Sequence, residues 1–253
     1  KSLARNKGTV ILKHANPCGV SAKSNNLQSY KSALICDPLS AFGGIVSCNF
    51  KINKKLALEL NNLFLEVIIA NGFENSALKI LKTKKNLRLI DGSNYKLKEI
   101  LKFVYFNQNM LVQSEDLNIF TSKNFKVVSK RKPTSKQLKD LIFAFNVCRY
   151  LKSNAIVLAS DQSTVGIGSG QTSRLDSCKI AIDKMKKFKL KNKNLVAASD
   201  GFFPFVDGFE KLIQSGVKAI VQPFGSIRDN EIIRYANETN TVLLFSKTRH
   251  FRH

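Results

Sequence analysis

Short apolar, β-branched runs alternate with amphipathic stretches along the whole chain, and this alternation constrains the fold more than any other feature, because it demands layered helices and strands. Strands are predicted over Thr9–Lys13, Gly44–Asn49, Glu66–Ala70 and Leu87–Ile90 in the first half. The second half offers Ala155–Ala159, Thr164–Ile167, Leu195–Ala198, Ala219–Gln222 and Thr241–Phe245. Between the halves Pro133-Thr134 opens a long helix: Thr134 and Gln137 form a capping box, and Leu138, Leu141, Ile142, Phe145, Cys148 and Leu151 recur at helical spacing. A boundary at Ser129–Pro133 divides the chain into parts 1–130 and 131–253. Each part repeats the order strand, Gly-rich turn, helix, so the expected architecture is α/β with mainly parallel sheets.

The densest chemistry lies where the first strand ends. Val10-Ile11-Leu12 runs into Lys13-His14-Ala15-Asn16-Pro17-Cys18-Gly19, placing an amine, an imidazole and an amide at one corner. Asn-Pro-x-Gly predicts a sharp turn there, since Pro fixes its own φ and biases the preceding residue away from the helix. Lys13 and His14 then sit at a strand's C-terminal end, where open α/β sheets bind ligands.

Composition limits the alternatives. A net charge of +23, from 41 Lys and Arg against 18 Asp and Glu, ordinarily points to nucleic acid or an anionic membrane. Here the lysines are scattered, as in Lys79–Lys85 and Lys184–Lys193, and accompany abundant Asn and Ile, as an A/T-rich coding sequence gives on tolerant surfaces. No specific nucleic acid is expected as a partner. Cys18, Cys36, Cys48, Cys148 and Cys178 are odd in number, far apart and without Cys-x-x-Cys, which fits neither a disulfide framework nor a zinc site and suits a reducing cytoplasm. The basic start Lys1–Lys7 leads only into a short strand, and no apolar run approaches the roughly 20 residues of a membrane span, so no membrane association is expected.

The Lys13–Gly19 heptad resembles a hallmark of the AICAR transformylase (phosphoribosylaminoimidazolecarboxamide formyltransferase) family, the C-terminal part of the bifunctional PurH purine-biosynthesis proteins. Further strings follow in family order: Ser40-Ala41-Phe42-Gly43-Gly44-Ile45-Val46, Ser153-Asn154-Ala155-Ile156-Val157, Gly166-Ile167-Gly168-Ser169-Gly170-Gln171-Thr172-Ser173-Arg174, Ser199-Asp200-Gly201-Phe202-Phe203-Pro204-Phe205 and Arg249-His250-Phe251-Arg252-His253. The resemblance implies a duplicated cytidine-deaminase-like fold. The zinc signature of true deaminases is missing, because Pro17-Cys18 has no partner Cys and His14 no neighbouring Glu.

The implied reaction moves a formyl group from 10-formyltetrahydrofolate to the 5-amino group of aminoimidazole carboxamide ribonucleotide, in de novo purine synthesis. An amine conjugated to an imidazole carboxamide is a poor nucleophile, so it needs a base, and the departing folate nitrogen needs a proton. His14 is the natural proton handler. Lys13 can stabilise an oxyanion or assist proton transfer, and Asn154 can orient the carboxamide or bridge to the formyl oxygen. The resemblance assigns Phe42, Gly43, Glu66, Arg174, Phe202 and Arg249 to the nucleotide, and Leu175, Phe205 and Asp207 to the folate. Asp207 and Asp229 also read as helix N-caps. Asp200 and the terminal His253 resemble positions around a structural monovalent cation, potassium. The family's sites are built across a subunit interface, so a homodimer is expected.

The match has departures. The usual Ser-Asp-Ala reads Ser199-Asp200-Gly201, the Pro-Gly-Gly-Ser turn reads Pro223-Phe224-Gly225-Ser226, and a Gly-Gly reads Gln108-Asn109. A bulky residue at Phe224 would be strained at positive φ. The family's upstream Arg-Tyr-Gly-x-Asn-Pro-His-Gln segment and its cyclohydrolase domain are not among these residues, which leaves an alternative: a non-catalytic remnant keeping the fold as a binding or dimerisation module.

Overall fold

The computed structural model describes residues 8–95, 101–188 and 194–252. The first half opens with a hairpin of β1 (Thr9–Lys13) and β2 (Asn16–Ser21). It continues through α1 (Asn26–Leu34), the one-turn α2 (Pro38–Ala41), β3 (Gly44–Cys48), α3 (Lys54–Asn61), β4 (Leu65–Ala70), α4 (Asn75–Leu81) and β5 (Arg88–Asp91). A second hairpin of β6 (Leu101–Phe106) and β7 (Asn109–Ser114), then the short β8 (Phe125–Val127), lead to α5 (Ser135–Cys148). The second half runs β9 (Ile156–Ser160), β10 (Ser163–Gly168), α6 (Arg174–Lys187), β11 (Val196–Ser199), α7 (Val206–Gln214), β12 (Ala219–Pro223), α8 (Asp229–Glu238) and β13 (Val242–Ser246). Every strand expected from the sequence is present to within a residue at either end; β2, β6, β7 and β8 are additions. Helix α5 starts on the expected capping box, with Gln137 N–H donating to Thr134 Oγ1 and Thr134 N–H to Gln137 Oε1.

Apart from the separate β6–β7 ribbon, the strands form an 11-stranded sheet in the order β5-β4-β3-β1-β2-β10-β9-β11-β12-β13-β8. The order contains its own repeat: β2-β1-β3-β4-β5 returns as β10-β9-β11-β12-β13. The halves join where β2 and β10 pair antiparallel at Ser21 and Ser163. Side chains reinforce that seam, with Ser21 Oγ 2.8 Å from Ser163 Oγ and Val20 N–H donating to Thr164 Oγ1 at 2.9 Å. A second tie crosses the halves where Lys184 of α6 reaches the buried Asp37, the N-cap of α2, at 2.7 Å.

The sheet is mixed. Its flanks β3-β4-β5 and β11-β12-β13 are parallel, as expected, while β1 and β9 pair antiparallel with both their neighbours. The parallel expectation gives way at the centre because only His14-Ala15 joins β1 to β2 and only Asp161-Gln162 joins β9 to β10, far too little chain for a crossover. Both turns have left-handed residues, with φ of 49° and 61° in the first and 52° and 51° in the second, the form whose twist matches the strands it joins.

Burial differs between the halves. In the second, Leu141, Phe145 and Cys148 of α5 cover one face on Val157, Ala198, Val221 and Leu244. Helices α6, α7 and α8 cover the other, with Cys178, Phe209, Leu212 and Ile232 on Ile156, Leu158, Ile220 and Leu243. In the first half α1, α3 and α4 place Tyr30, Leu56, Leu60 and Leu81 on Ile11, Val46 and Ile68. Correspondingly β9, β10, β12 and β13 are buried at every residue, whereas β3 is buried only at alternate ones. Among the described residues no helix is long and apolar enough to cross a membrane.

Candidate functional site

The corner at the end of β1 is built differently from the Asn-Pro-x-Gly turn expected there. The reversal occurs one step earlier, at His14-Ala15, and Asn16 to Gly19 are already strand β2, with Lys13 opposite Asn16. Pro17 is tolerated because the ladder is irregular beside Ile11 and Leu12. Gly19 serves packing: a Cβ there would lie 1.9 Å from the carbonyl oxygen of Ala33, so its absence lets α1 settle onto β2. The turn holds His14 in the left-handed region with its side chain exposed.

Lys13 is anchored. Its Nζ donates to the carbonyl oxygens of Phe42 and Gly43 at 2.8 and 3.0 Å. Gly43 has φ +65° and a Cβ there would sit 2.9 Å from Nζ, so both its backbone shape and the closeness of the ammonium require glycine. The exposed ring of Phe42 leans on Phe64, centroids 5.2 Å apart. Glu66 follows immediately: the β3–β4 register shifts between Gly44 and Ile45, leaving Glu66 as an extra, exposed residue beside this corner. Bulges re-aim side chains in this way.

A buried polar network forms the second cluster. Arg174 opens α6 and donates from Nε to Ser199 Oγ at 2.9 Å, from one terminal nitrogen to Asn154 Oδ1 at 2.8 Å, and from the other to Asp200 Oδ1 at 2.9 Å. Burial pulls the Arg174 pKa below its ordinary value, and the neighbouring Asp200 opposes that pull. Asp200 Oδ2 accepts from Ser153 Oγ at 2.6 Å, and the Asp200 carbonyl accepts the His250 N–H at 2.9 Å. The Gly-x-Gly string divides its labour. A Cβ on Gly168 would lie 2.0 Å from the Ser177 carbonyl oxygen, so this glycine lets α6 approach, while Gly170 takes φ +70°. Gly201, where the resemblance expects Ala, leaves room for the guanidinium, since a Cβ there would lie 2.3 Å from Arg174.

This network bears on the monovalent cation that the resemblance implies. Each carboxylate oxygen of Asp200 accepts one hydrogen bond, from Arg174 and from Ser153, and keeps a lone pair, with the Arg174 guanidinium supplying a positive charge beside it. His253 lies outside the described residues. Among the described residues no three His, Cys, Asp or Glu side chains are grouped to hold a metal.

Two cation–ring pairs lie on the loops that follow β11, β12 and β13. Arg249 lies over the ring of Phe202 at 4.7 Å, and Arg228 over that of Phe205 at 4.8 Å. Phe205, not Asp207, is the N-cap of α7; Asp207 is exposed in the first turn, its carboxylate accepting the Gly208 N–H at 2.6 Å. Asp229 likewise is the first residue of α8 and not its cap, and it accepts the Gly225 N–H at 2.7 Å. The left-handed residue of that turn is Gly225, φ +114°, so Phe224 carries none of the expected strain. Leu175 is half-buried one residue beyond Arg174.

The registers place all these segments at one end of the sheet. β1 ends, and β3 and β4 begin, at the end where β9 begins and β10, β11, β12 and β13 finish. Lys13 and Asn154 are carried by strands three steps apart, about 14 Å at the usual strand spacing. One chain thus presents two clusters along one edge, Lys13, His14, Phe42, Gly43 and Glu66 in one, Asn154, Arg174, Asp200, Phe202 and Arg249 in the other. Phe64 and Arg228, which take part through ring contacts, lie outside any motif and carried no signal in the sequence. Ser153 and Ser199 stood inside motif strings, but only the fold reveals them as partners of Asp200 and Arg174.

A family model described as AICARFT/IMPCHase bienzyme matches residues 1–184. The bifunctional purine biosynthesis protein PurH of Buchnera aphidicola subsp. Schizaphis graminum is 46% identical over 247 residues, covering 96% of this chain and 47% of that protein. The same-named protein of Persephonella marina is 44% identical over 246 residues, covering 96% and 47%. That of Bradyrhizobium diazoefficiens is 43% identical over 258 residues, covering 98% and 49%. The chain spans about half the length of the curated relatives it matches.

Proposed function

Because the chain belongs to the AICARFT/IMPCHase bienzyme family, we propose that it performs formyl transfer from 10-formyltetrahydrofolate to aminoimidazole carboxamide ribonucleotide within purine biosynthesis in the cytoplasm. The observation that carries this reading is convergence: segments far apart in sequence, from Lys13 to Arg249, bring their polar side chains to one end of one sheet. We read the repeated strand order as the duplicated deaminase-like fold of that activity, without its metal.

The geometry supports the following roles. His14 is exposed on a two-residue turn and takes the proton of the attacking amine, then delivers one to the departing folate nitrogen. Lys13 has three N–H donors, two of them given to Phe42 and Gly43. The remaining donor is aimed by that anchorage and stabilises the oxyanion of the tetrahedral intermediate. Arg249 over Phe202 offers a guanidinium on an aromatic platform for the nucleotide, and the Phe205–Asp207 turn offers a ring and a carboxylate for the pterin. Arg174, with Nε and both terminal nitrogens each donating to a protein group, acts by holding Asn154.

The site is completed by a second copy of the chain. Among the described residues the β6–β7 ribbon pairs with no other strand, and it exposes Phe103, Val104, Tyr105, Phe106, Leu111 and Val112. A two-stranded ribbon without a packed face is marginal in water, and this one calls for cover.

Replacing His14 tests the assignment: His14→Ala should lower turnover by about 10²- to 10⁴-fold with nucleotide affinity kept within a few-fold. Near-parental turnover in a folded variant would make the corner structural.

A further inference from the structure

The stretch that carries Arg249 has no regular structure to hold it, since residues 247–252 follow β13 in neither helix nor strand. Of these six, Arg249 and Phe251 are exposed and His250 alone is buried, which makes the imidazole the inward anchor. Its ring stands edge-on to Phe120, centroids 4.9 Å apart, and lies against Phe145 at 4.5 Å. Nδ1 meets Asp116 Oδ2 at 2.5 Å. Burial raises the Asp116 pKa, but the hydrogen bond from His250 leads the opposing interactions and the carboxyl ends below its ordinary value, so Asp116 accepts and Nδ1–H donates. Turned over, the ring would set a C–H against the carboxylate.

Asp116 is fixed in turn. It lies two residues beyond β7, in a loop pinned to α5 and its C-cap. Arg149 Nη1 donates to the Asn118 carbonyl, and Asn146 pairs with the Phe120 backbone, Oδ1 accepting the N–H and Nδ2 donating to the carbonyl, both at 3.0 Å. From the other side, the His250 N–H donates to the Asp200 carbonyl at 2.9 Å. Beside these anchors Arg249 keeps its guanidinium 4.7 Å over the ring of Phe202, and a Cβ on Gly225 would come within 3.2 Å of it. A phenyl ring would fill the slot at Phe120 and Phe145 with no polar group to desolvate. What the imidazole adds is direction, because its bond to Asp116 admits one orientation of the ring and so sets the chain next to the guanidinium.

Resting on the function proposed above, we propose that Asp116 and His250 are positioning residues for Arg249, fixing the chain from which its guanidinium is presented to the nucleotide. His250 is wholly buried and acts only through its neighbour.

The test is steady-state kinetics of the full-length gene product with each substrate varied in turn. His250→Phe, or His250→Leu should the first fail to fold, and Asp116→Ala should each raise the KM for the ribonucleotide by about tenfold, the scale of a lost hydrogen bond to a charged group. The KM for 10-formyltetrahydrofolate and kcat at saturating ribonucleotide should stay within about twofold of wild type. Asp116→Asn, whose side-chain oxygen still accepts from Nδ1–H, should bring the ribonucleotide KM back to within about threefold. On an Arg249→Ala background, His250→Phe should add less than about twofold, because the group it positions is gone. A purely structural pair would instead lower the melting temperature and the active fraction and leave the ribonucleotide KM of the folded protein unchanged. That outcome, or a full effect of His250→Phe on top of Arg249→Ala, would overturn the inference while the functional reading stands. If folded wild-type protein binds no ribonucleotide in calorimetry, the functional reading itself falls and takes this inference with it.

Discussion

At the scale of single residues, the glycines do most to separate what the sequence revealed from what it hid. Gly43 was legible only as a residue that the resemblance assigns to the nucleotide, and the structure places it under the Lys13 ammonium at φ +65°. Gly19 and Gly168 read as turn residues but are sites of backbone contact with α1 and α6, and such contact depends on a partner distant in sequence. Gly201 yields a prediction. An added methyl would press on Arg174 from 2.3 Å and disturb its pairing with Asp200, both side chains being buried. Gly201→Ala should therefore destabilise the protein by about 1–3 kcal/mol in urea unfolding. An unchanged midpoint would show that the guanidinium has room to move. The buried thiols are inert by comparison: burial above all pushes Cys18 up to about 11 and Cys36 to about 12, out of the reactive range.

Among the elements, the nine strands of the strand–helix alternation were legible, whereas β2, the β6–β7 hairpin and the short β8 were not. β2 begins with Asn-Pro and reads as a turn, yet it is held by β1 on one side and by α1 over Gly19. The parallel flanks could be anticipated from alternating strand and helix, whereas the antiparallel centre depends on two-residue turns without the Asn-Gly or Asp-Gly signal. Two predictions belong here. Tyr105→Glu with Leu111→Lys on the β6–β7 ribbon should turn a dimer into a monomer in analytical ultracentrifugation and remove turnover with it; an unaltered dimer would place the interface elsewhere. The second concerns the Asp37–Lys184 tie. Burial raises the Asp37 pKa, but the Lys184 pair and the Ser40 hydrogen bonds outweigh it and hold the carboxyl below its ordinary value. A depressed carboxyl stabilises the fold above its unfolded value of about 4, and that stability is lost as pH falls through the folded value. Lys184→Met should cost about 1–2 kcal/mol at neutral pH, less than a fully buried pair because Lys184 is 35% exposed. The gap to wild type should close as pH falls below the depressed folded value of Asp37. A gap independent of pH would assign the loss to packing.

For the whole molecule, the charge of +23 and the convergence of motifs point in different directions, and only one of them carries chemistry. The basic residues are spread over the sequence without the aromatic interleaving of a single-strand reader. Duplex and single-strand binding should accordingly fade between low and physiological salt while the ribonucleotide still binds; sequence-selective binding that survives would reverse this view. Convergence is the stronger signal, because six segments at one edge of an 11-stranded sheet meet there only through the fold. The order of those segments was legible in the sequence; their division into a Lys13 corner and an Arg174 network was not, since it depends on β2 meeting β10. The most direct measurement is release of tetrahydrofolate from 10-formyltetrahydrofolate by the purified full-length gene product, with and without the ribonucleotide. We predict release only when the ribonucleotide is present, in step with its formylation. Release without it, or none from a folded dimer holding both substrates, would contradict the assignment.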